Sequence, residues 1–161
     1  MKKQSHSFEL SIFESFTELS EEDAALLEQA QKAREDAYAP YSSFKVGAAV
    51  LLANGKVVIG NNQENASYPS GLCAERVAVF HAGAQYPGVA IVKIAIVAGS
   101  VKNSISKPAA PCGNCRQSIF EYERKQKQNI ELLLMGTNGE VYKCPSINDL
   151  LPLAFGSDFL K

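Results

Sequence analysis

Apolar positions along the chain alternate between helical and strand spacing, and the switches mark its elements. Residues 1–19 show only weak alternation at Phe8, Leu10 and Ile12, as an N-terminal arm or a short strand would. In "TELSEEDAALLEQAQKAREDAYAPY", Leu26, Ala30, Ala33 and Ala37 recur at helical spacing and predict one buried stripe. Ser20 stands as the N-cap, acids fill the first turn, Lys32 and Arg34 lie later, and Pro40 ends the run. "FKVGAAVLLANGKVVIGNN" holds two β-rich runs around Asn54-Gly55, which predicts a tight hairpin with both turn residues at positive φ. Gly47, inside the first run, forfeits packing and chain entropy, so a bulge or a close ligand is expected there.

A second helix is expected from Leu72-Cys73 to about Ala84, with Val77, Phe80 and Ala84 at helical spacing. "AIVKIAIVAG" is almost unbroken apolar sequence, the mark of a central strand covered on both faces. A third helix follows Pro111 and runs through Glu123, and "IELLLMGTNGEVYKC" repeats strand, Asn-Gly and strand around Asn138-Gly139. The sum is an α/β fold. It is a three-layer arrangement with helices on both faces of a mixed, roughly five-stranded sheet, in one domain over residues 20–161 behind the arm 1–19.

With 161 residues the chain fills one sizeable core. Its 16 Lys+Arg and 17 Asp+Glu leave a net charge of −1, and no basic run exceeds a pair, so a nucleic-acid partner is not expected. No apolar run approaches the ~18 residues of a membrane span, and "MKKQSHSFEL" has no apolar stretch of a signal peptide. In that setting the four cysteines read as thiols or metal ligands in a cytoplasmic protein rather than as a disulfide framework.

Three of these thiols fall at expected helix starts: Cys73 after "SYPSGL", and Cys112 and Cys115 after "KPAAP". Unpaired backbone N–H groups there favour thiolate, and Cys112 and Cys115, one turn apart, can face one point. No fourth ligand stands out. His6 lies in the arm, His81 is two turns down its helix and about 12 Å from Cys73, and Cys144 has only Pro145 beside it. Three ligands with an open position are the arrangement of a catalytic Zn2+, which acidifies a bound water toward ~7. Glu75, two positions beyond Cys73, is the candidate proton carrier. Three thiolates leave Zn2+ with a surplus negative charge, which an arginine donating to sulfur would withdraw; Arg76 is placed for this, with Arg116 as a second candidate.

Plainer readings stand beside these. Cys112 and Cys115 alone fit a redox dithiol, which would leave Cys73-Ala74-Glu75 unexplained, and a noncatalytic zinc-stabilised domain would need only the thiols. Glu75 fits a helix-start acid, Phe44 and Tyr41 fit core positions, and Asn62 and Glu64 fit a turn.

"CAER" at 73–76 together with "PCGNCRQ" at 111–117 resembles the small homotetrameric zinc-dependent cytidine deaminases. "YSSFKVGAAV" from Tyr41, "GNNQENASYPSGLCAER" from Gly60 and "LLPLAFG" from Leu150 extend the resemblance over residues 20–160. It implies hydrolysis of cytidine and 2'-deoxycytidine to uridine and 2'-deoxyuridine with release of ammonia, in pyrimidine salvage. It further implies that Cys73, Cys112 and Cys115 hold zinc, that Glu75 shuttles protons and that Phe44 lies against the base. Asn62 and Glu64 would bind sugar hydroxyls. Ala66 and Tyr68 would line the pocket, and Phe155 would close it from another subunit of a homotetramer with shared sites. Two positions depart from the family's habit: Lys45 follows Phe44, and Ala110 precedes Pro111. The related blasticidin S deaminases use the same Cys and Glu constellation and are the alternative within the class.

Overall fold

A computed structural model describes residues 1–160 of the chain; Lys161 lies outside the described residues. Residue parity along the strands sets the layers. The strands are β1 (Ser11–Phe13), β2 (Phe44–Leu52), β3 (Val57–Asn61), β4 (Ile91–Ser100), β5 (Glu131–Met135) and β6 (Val141–Cys144), and they form one sheet in the order β1-β6-β5-β4-β2-β3. Ala48, Val50, Ile94, Ile96, Leu132 and Leu134 face one core, shared with Ala78, Val79 and Ala82 of α2 (Ala74–Gln85) and Ile119 and Phe120 of α3 (Gly113–Gln126). The intervening Ala49, Ala95, Val97, Leu133 and Met135 face the other, shared with Leu26, Leu27 and Ala30 of α1 (Glu21–Glu35). Over Ile94–Val97 successive side chains of β4 enter the two cores in turn and leave no polar face to spare, which explains its almost unbroken apolar run.

The sheet has six strands, one more than the sequence pattern predicts. The addition is β1, taken from the N-terminal arm, where Ser11–Phe13 pairs antiparallel with Val141–Lys143 of β6. β4 and β5 are parallel, joined by the crossover through α3, and the other neighbours are antiparallel.

Several local expectations hold in detail. The Ser20 hydroxyl accepts from Asp23 N at 3.2 Å, and Leu26, Ala30, Ala33 and Ala37 are all buried, although α1 ends at Glu35, ahead of Pro40. Lys45 Nζ donates to Glu35 O at 2.5 Å, satisfying a carbonyl at the last turn of α1 and giving that unusual lysine a structural task.

Others are corrected. In the β2–β3 hairpin, Leu52 N bonds Lys56 O at 2.9 Å and only Gly55 takes positive φ, at +76°. The loop is therefore three residues, Ala53–Gly55, which requires left-handed backbone only at its last position; Asn138-Gly139 likewise has the positive φ on the glycine alone. Gly47 serves neither bulge nor ligand. A Cβ there would sit 2.0 Å from Ala30 O, so the bare backbone lets α1 lie against β2. The stripe read in the second helix is the outward one: Phe80 is 44 % exposed, while Ala74, Glu75, Ala78, Val79 and Ala82 are buried. Alanines gave the period no apolar contrast, and the large Phe80 misled it.

Candidate active site

Topology brings two loops to one end of the sheet. Asn61, the last residue of β3, lies opposite Gly47, and Ser100, the last of β4, lies opposite Phe44, so both strands finish beside the start of β2. The loop leaving β3 enters α2 and the loop leaving β4 enters α3. Both helices consequently point their N-termini at the same place.

Cys73 is the N-cap of α2 and Cys112 the N-cap of α3, each with extended backbone and a thiol not used for capping; Cys115 follows in the first turn of α3. Cys73 Sγ lies 3.8 Å from Cys112 Sγ, Cys112 Sγ lies 3.6 Å from Cys115 Sγ, and the three sulfurs fall within 4.8 Å of one another. Sulfurs at the corners of a tetrahedron around zinc, with Zn–S of about 2.3 Å, stand about 3.8 Å apart. The cluster thus has the spacing of three zinc ligands before any ion is considered. His6, His81 and Cys144 are not part of it; Cys144 is buried and donates to Ser146 O at 3.2 Å.

Hydrogen bonding with Cys115 outweighs burial and, together with Cys112 and Arg76, holds the Cys73 thiol down at about 5. Cys115 is pushed well up by its bond to Cys73, by burial and by the charges of Glu75 and Cys73. Cys73 and Cys115 are thus pushed in opposite directions by their crowding, a conflict that a dication would relieve. Arg76 Nε is buried without a hydrogen-bond partner of its own, yet burial, which disfavours its charge, is outweighed by hydrogen bonds to Cys73 and by the charges on Cys115 and Cys73. An arginine so placed fits a thiolate-bound cation, whose surplus negative charge it neutralises.

Glu75, in the first turn of α2, is 5 % exposed. Burial pushes its carboxyl up, the negative Cys73 adds to this, and its own backbone N–H only partly offsets them. A carboxyl held above its ordinary range by burial gives up its proton less readily than a free glutamate, which suits a group that must take and return protons. It lines a cavity of about 320 Å³ with Phe44, Asn62, Glu64, Cys73 and Cys112. A wider, more open cavity of about 490 Å³ adjoins it, sharing Ser42, Asn62, Glu64 and Cys73 and reaching Tyr41, Tyr68 and Arg76.

Residues 20–129 match the family model described as the cytidine and deoxycytidylate deaminase zinc-binding region. The chain belongs to this deaminase family. It is 39 % identical over 133 residues, 83 % of its length and 93 % of the relative's, to a cytidine deaminase of Halalkalibacterium halodurans. It is 40 % identical over 131 residues, 81 % of its length and 87 % of the relative's, to one of Mycobacterium tuberculosis. Among solved structures, the cytidine deaminase of Burkholderia pseudomallei superposes with a TM-score of 0.72 at 45 % identity, covering 85 % of this chain and all of that one. The M. tuberculosis enzyme superposes with a TM-score of 0.63 at 36 % identity, over 82 % and 95 % of the two chains.

In this deaminase the remaining predicted residues divide by position. Asn62 accepts from Val46 N at 2.8 Å and donates to Phe44 O at 2.9 Å, so its amide is clamped to β2 at the cavity wall. Glu64 accepts from Tyr41 N at 2.9 Å and from Ser42. Tyr68 is 78 % exposed at the rim of the wider cavity and meets Tyr41 edge-on, with centroids 6.4 Å apart. Tyr41, which also reads as a core position, is itself 54 % exposed on that rim. Ala66 is exposed and lines neither cavity, and Phe155, 57 % exposed and stacked on Phe159, lines neither within its own chain.

Arg116, the second arginine considered for the sulfurs, donates Nε to Pro111 O and Nη1 to Leu150 O, both at 2.7 Å. It braces the turn ahead of α3 against the C-terminal segment, while the sulfurs are left to Arg76. Sequence reasoning passed over Ser42. Its only signal was its place in "PYSSF", a polar pair just ahead of a strand.

Proposed function

We propose that the chain is a zinc-dependent hydrolase that converts cytidine and 2'-deoxycytidine to the uridine products and ammonia. The observation that carries this reading is three sulfurs at tetrahedral spacing on two helix N-termini, with the buried Glu75 carboxyl opening into the same cavity. Attack at C4 with a non-ligand glutamate moving protons is the chemistry general to zinc deaminases. Zinc, when held by Cys73, Cys112 and Cys115, supplies a Lewis acid that acidifies a water beside the base. Glu75 takes the proton from that water, places it on N3 of the base and later delivers a proton to the exocyclic amine, so that the C–N bond breaks with ammonia leaving. Phe44 offers the base a flat face, and Glu64 and Asn62 meet the sugar.

Charge favours nucleosides over nucleotides. Of the residues lining the two cavities, Arg76 is the single cation and is committed to sulfur, while Glu64 is an anion where a phosphate would have to pass. Residues 20–161 form the catalytic unit in this reading, with residues 1–19 as an arm that edges the sheet. Homotetramer assembly with shared sites accounts for Phe155, exposed and outside its own cavity, and for the exposed Phe80 on the outer face of α2. The reading includes a role in pyrimidine salvage and a cytoplasmic setting, in which thiol ligands stay reduced. Among the described residues no helix is long and apolar enough to cross a membrane.

The test is ammonia release from cytosine, cytidine, 2'-deoxycytidine and adenosine, repeated after chelation and after zinc return. Turnover of the two cytosine nucleosides, lost with the metal and restored by it, is expected. A zinc-loaded protein inert toward both, or one that strongly prefers blasticidin S in a parallel assay, would overturn the reading.

A further inference from the structure

Ser42 carries a hydroxyl whose single proton has one destination. Phe44 N donates to Ser42 Oγ at 2.9 Å, so the oxygen accepts from the backbone and its own hydrogen is free for Glu64 Oε1, 2.5 Å away. The other carboxylate oxygen, Oε2, accepts from Tyr41 N at 2.9 Å and Ser42 N at 3.3 Å. A carboxylate offers about four lone-pair sites. Three are filled by residues 41 and 42, and the one remaining belongs to Oε1. Ser42 and Glu64 both line the narrow cavity and the wider one, so this open acceptor site lies where the two meet.

The turn that presents the hydroxyl is itself held in place. Ser43 takes φ +56°, a left-handed conformation rare for a residue with a side chain. It is fixed by its N–H bonding Ala39 O at 3.1 Å and by Val101 N bonding Ser43 O at 2.9 Å. Such strain persists where the surroundings over-determine it. A free glutamate would have to surrender its rotamer freedom when a ligand binds, whereas this one is already oriented.

We propose that Ser42 is a positioning residue for substrate recognition: its hydroxyl fixes the Glu64 carboxylate so that the last lone pair of Oε1 accepts a hydroxyl of the substrate's sugar. The proposal rests on the reading of Glu64 as the sugar-binding group and deepens it. If Glu64 merely tied down the turn at residues 41 and 42, removing the serine would disturb every substrate alike. A recognition role disturbs only substrates that have the hydroxyls.

The experiment measures kcat and KM of the zinc-loaded full chain, Ser42→Ala, Ser42→Thr and Glu64→Gln on cytidine and on 2',3'-dideoxycytidine, which lacks both ring hydroxyls. Ser42→Ala is expected to raise KM for cytidine about tenfold with kcat changed by less than about twofold, and to leave the dideoxy substrate within about twofold of wild type. Ser42→Thr, which keeps the hydroxyl, is expected to recover most of the affinity. Equal losses on both substrates, or no loss on cytidine, would overturn the proposal. Glu64→Gln separates the two failures. A cytidine-only loss in Glu64→Gln with wild-type behaviour in Ser42→Ala removes Ser42 alone, whereas a Glu64→Gln indifferent to the hydroxyls removes the sugar-binding reading and the proposal with it.

Discussion

Asp23 in the first turn of α1 and Glu75 in the first turn of α2 are both buried carboxylates, 3 % and 5 % exposed, near the dipole-positive end of a helix. Their surroundings differ. Asp23 is paired with Lys93 and Lys143, the latter at 2.9 Å, and Lys93 also meets Glu22 at 3.0 Å and Glu131 at 3.1 Å. Burial opposes its charge, but the hydrogen bonds of the two lysines prevail and hold its carboxyl below the ordinary 3.8. Glu75 has no such pair, faces a negative sulfur and is pushed up. A buried acid given its cations is part of the framework, and one denied them, at the edge of a cavity, is available to exchange protons.

Metal removal breaks the comparison most completely. Chelation, or Cys112→Ser, is expected to drop turnover to background while the Asp23 cluster on the opposite face keeps the domain folded, as metal analysis, ammonia assay and circular dichroism would show together. Glu75→Gln comes next: kcat is expected to fall by about 10²- to 10⁴-fold with zinc content unchanged, and a loss of zinc would count against the proton-carrier role. Asp23→Asn inverts the pattern. It leaves Lys93 buried with Glu22 and Glu131 as its remaining partners and should cost about 2–3 kcal/mol in urea unfolding, with kcat/KM of the folded enzyme little changed.

The pH dependence sharpens the same contrast. Because the folded-state pKa of Asp23 is depressed, its contribution is fully present above about pH 4 and is lost as pH falls through the depressed value, so acid unfolding should flatten below about pH 4 in Asp23→Asn. Lys93 is raised, so its contribution is fully present below its ordinary 10.5 and is lost only as pH rises beyond that. The smallest effect is expected at the helix cap, where Ser20→Ala should cost about 1 kcal/mol in the same unfolding assay and leave turnover untouched.

How legible these features were depends on how far along the chain their causes lie. The cap at Ser20, the alanine stripe of α1 and the doubly covered β4 are set by neighbours within a few residues, and the sequence showed them. The outward turn of Phe80 was missed because a helix lined with alanine packs by its small face, and apolar size then points the wrong way. The strand β1 stayed undecided between an arm and a short strand because its three residues owe their pairing to β6, 128 or more positions away in the chain, rather than to any strong pattern of their own. Glu123 was missed for the same reason: its buried carboxylate accepts from Ile130 N at 2.8 Å and Ser146 Oγ at 2.6 Å, partners known only once the chain has folded.

From the sequence alone came the residue types and their spacing: three thiols and an acid at two helix starts, and strands whose apolar content called for cover on both faces. Spacing of this kind is local chemistry, written in a few consecutive positions. The actual distances between the Cys73, Cys112 and Cys115 sulfurs, the bond of Arg116 to Leu150 O and the hold of Ser42 on Glu64 came only from the tertiary structure. Distances between segments far apart in the chain are fixed by how the sheet orders its strands and where each loop leaves it, and no local pattern encodes them.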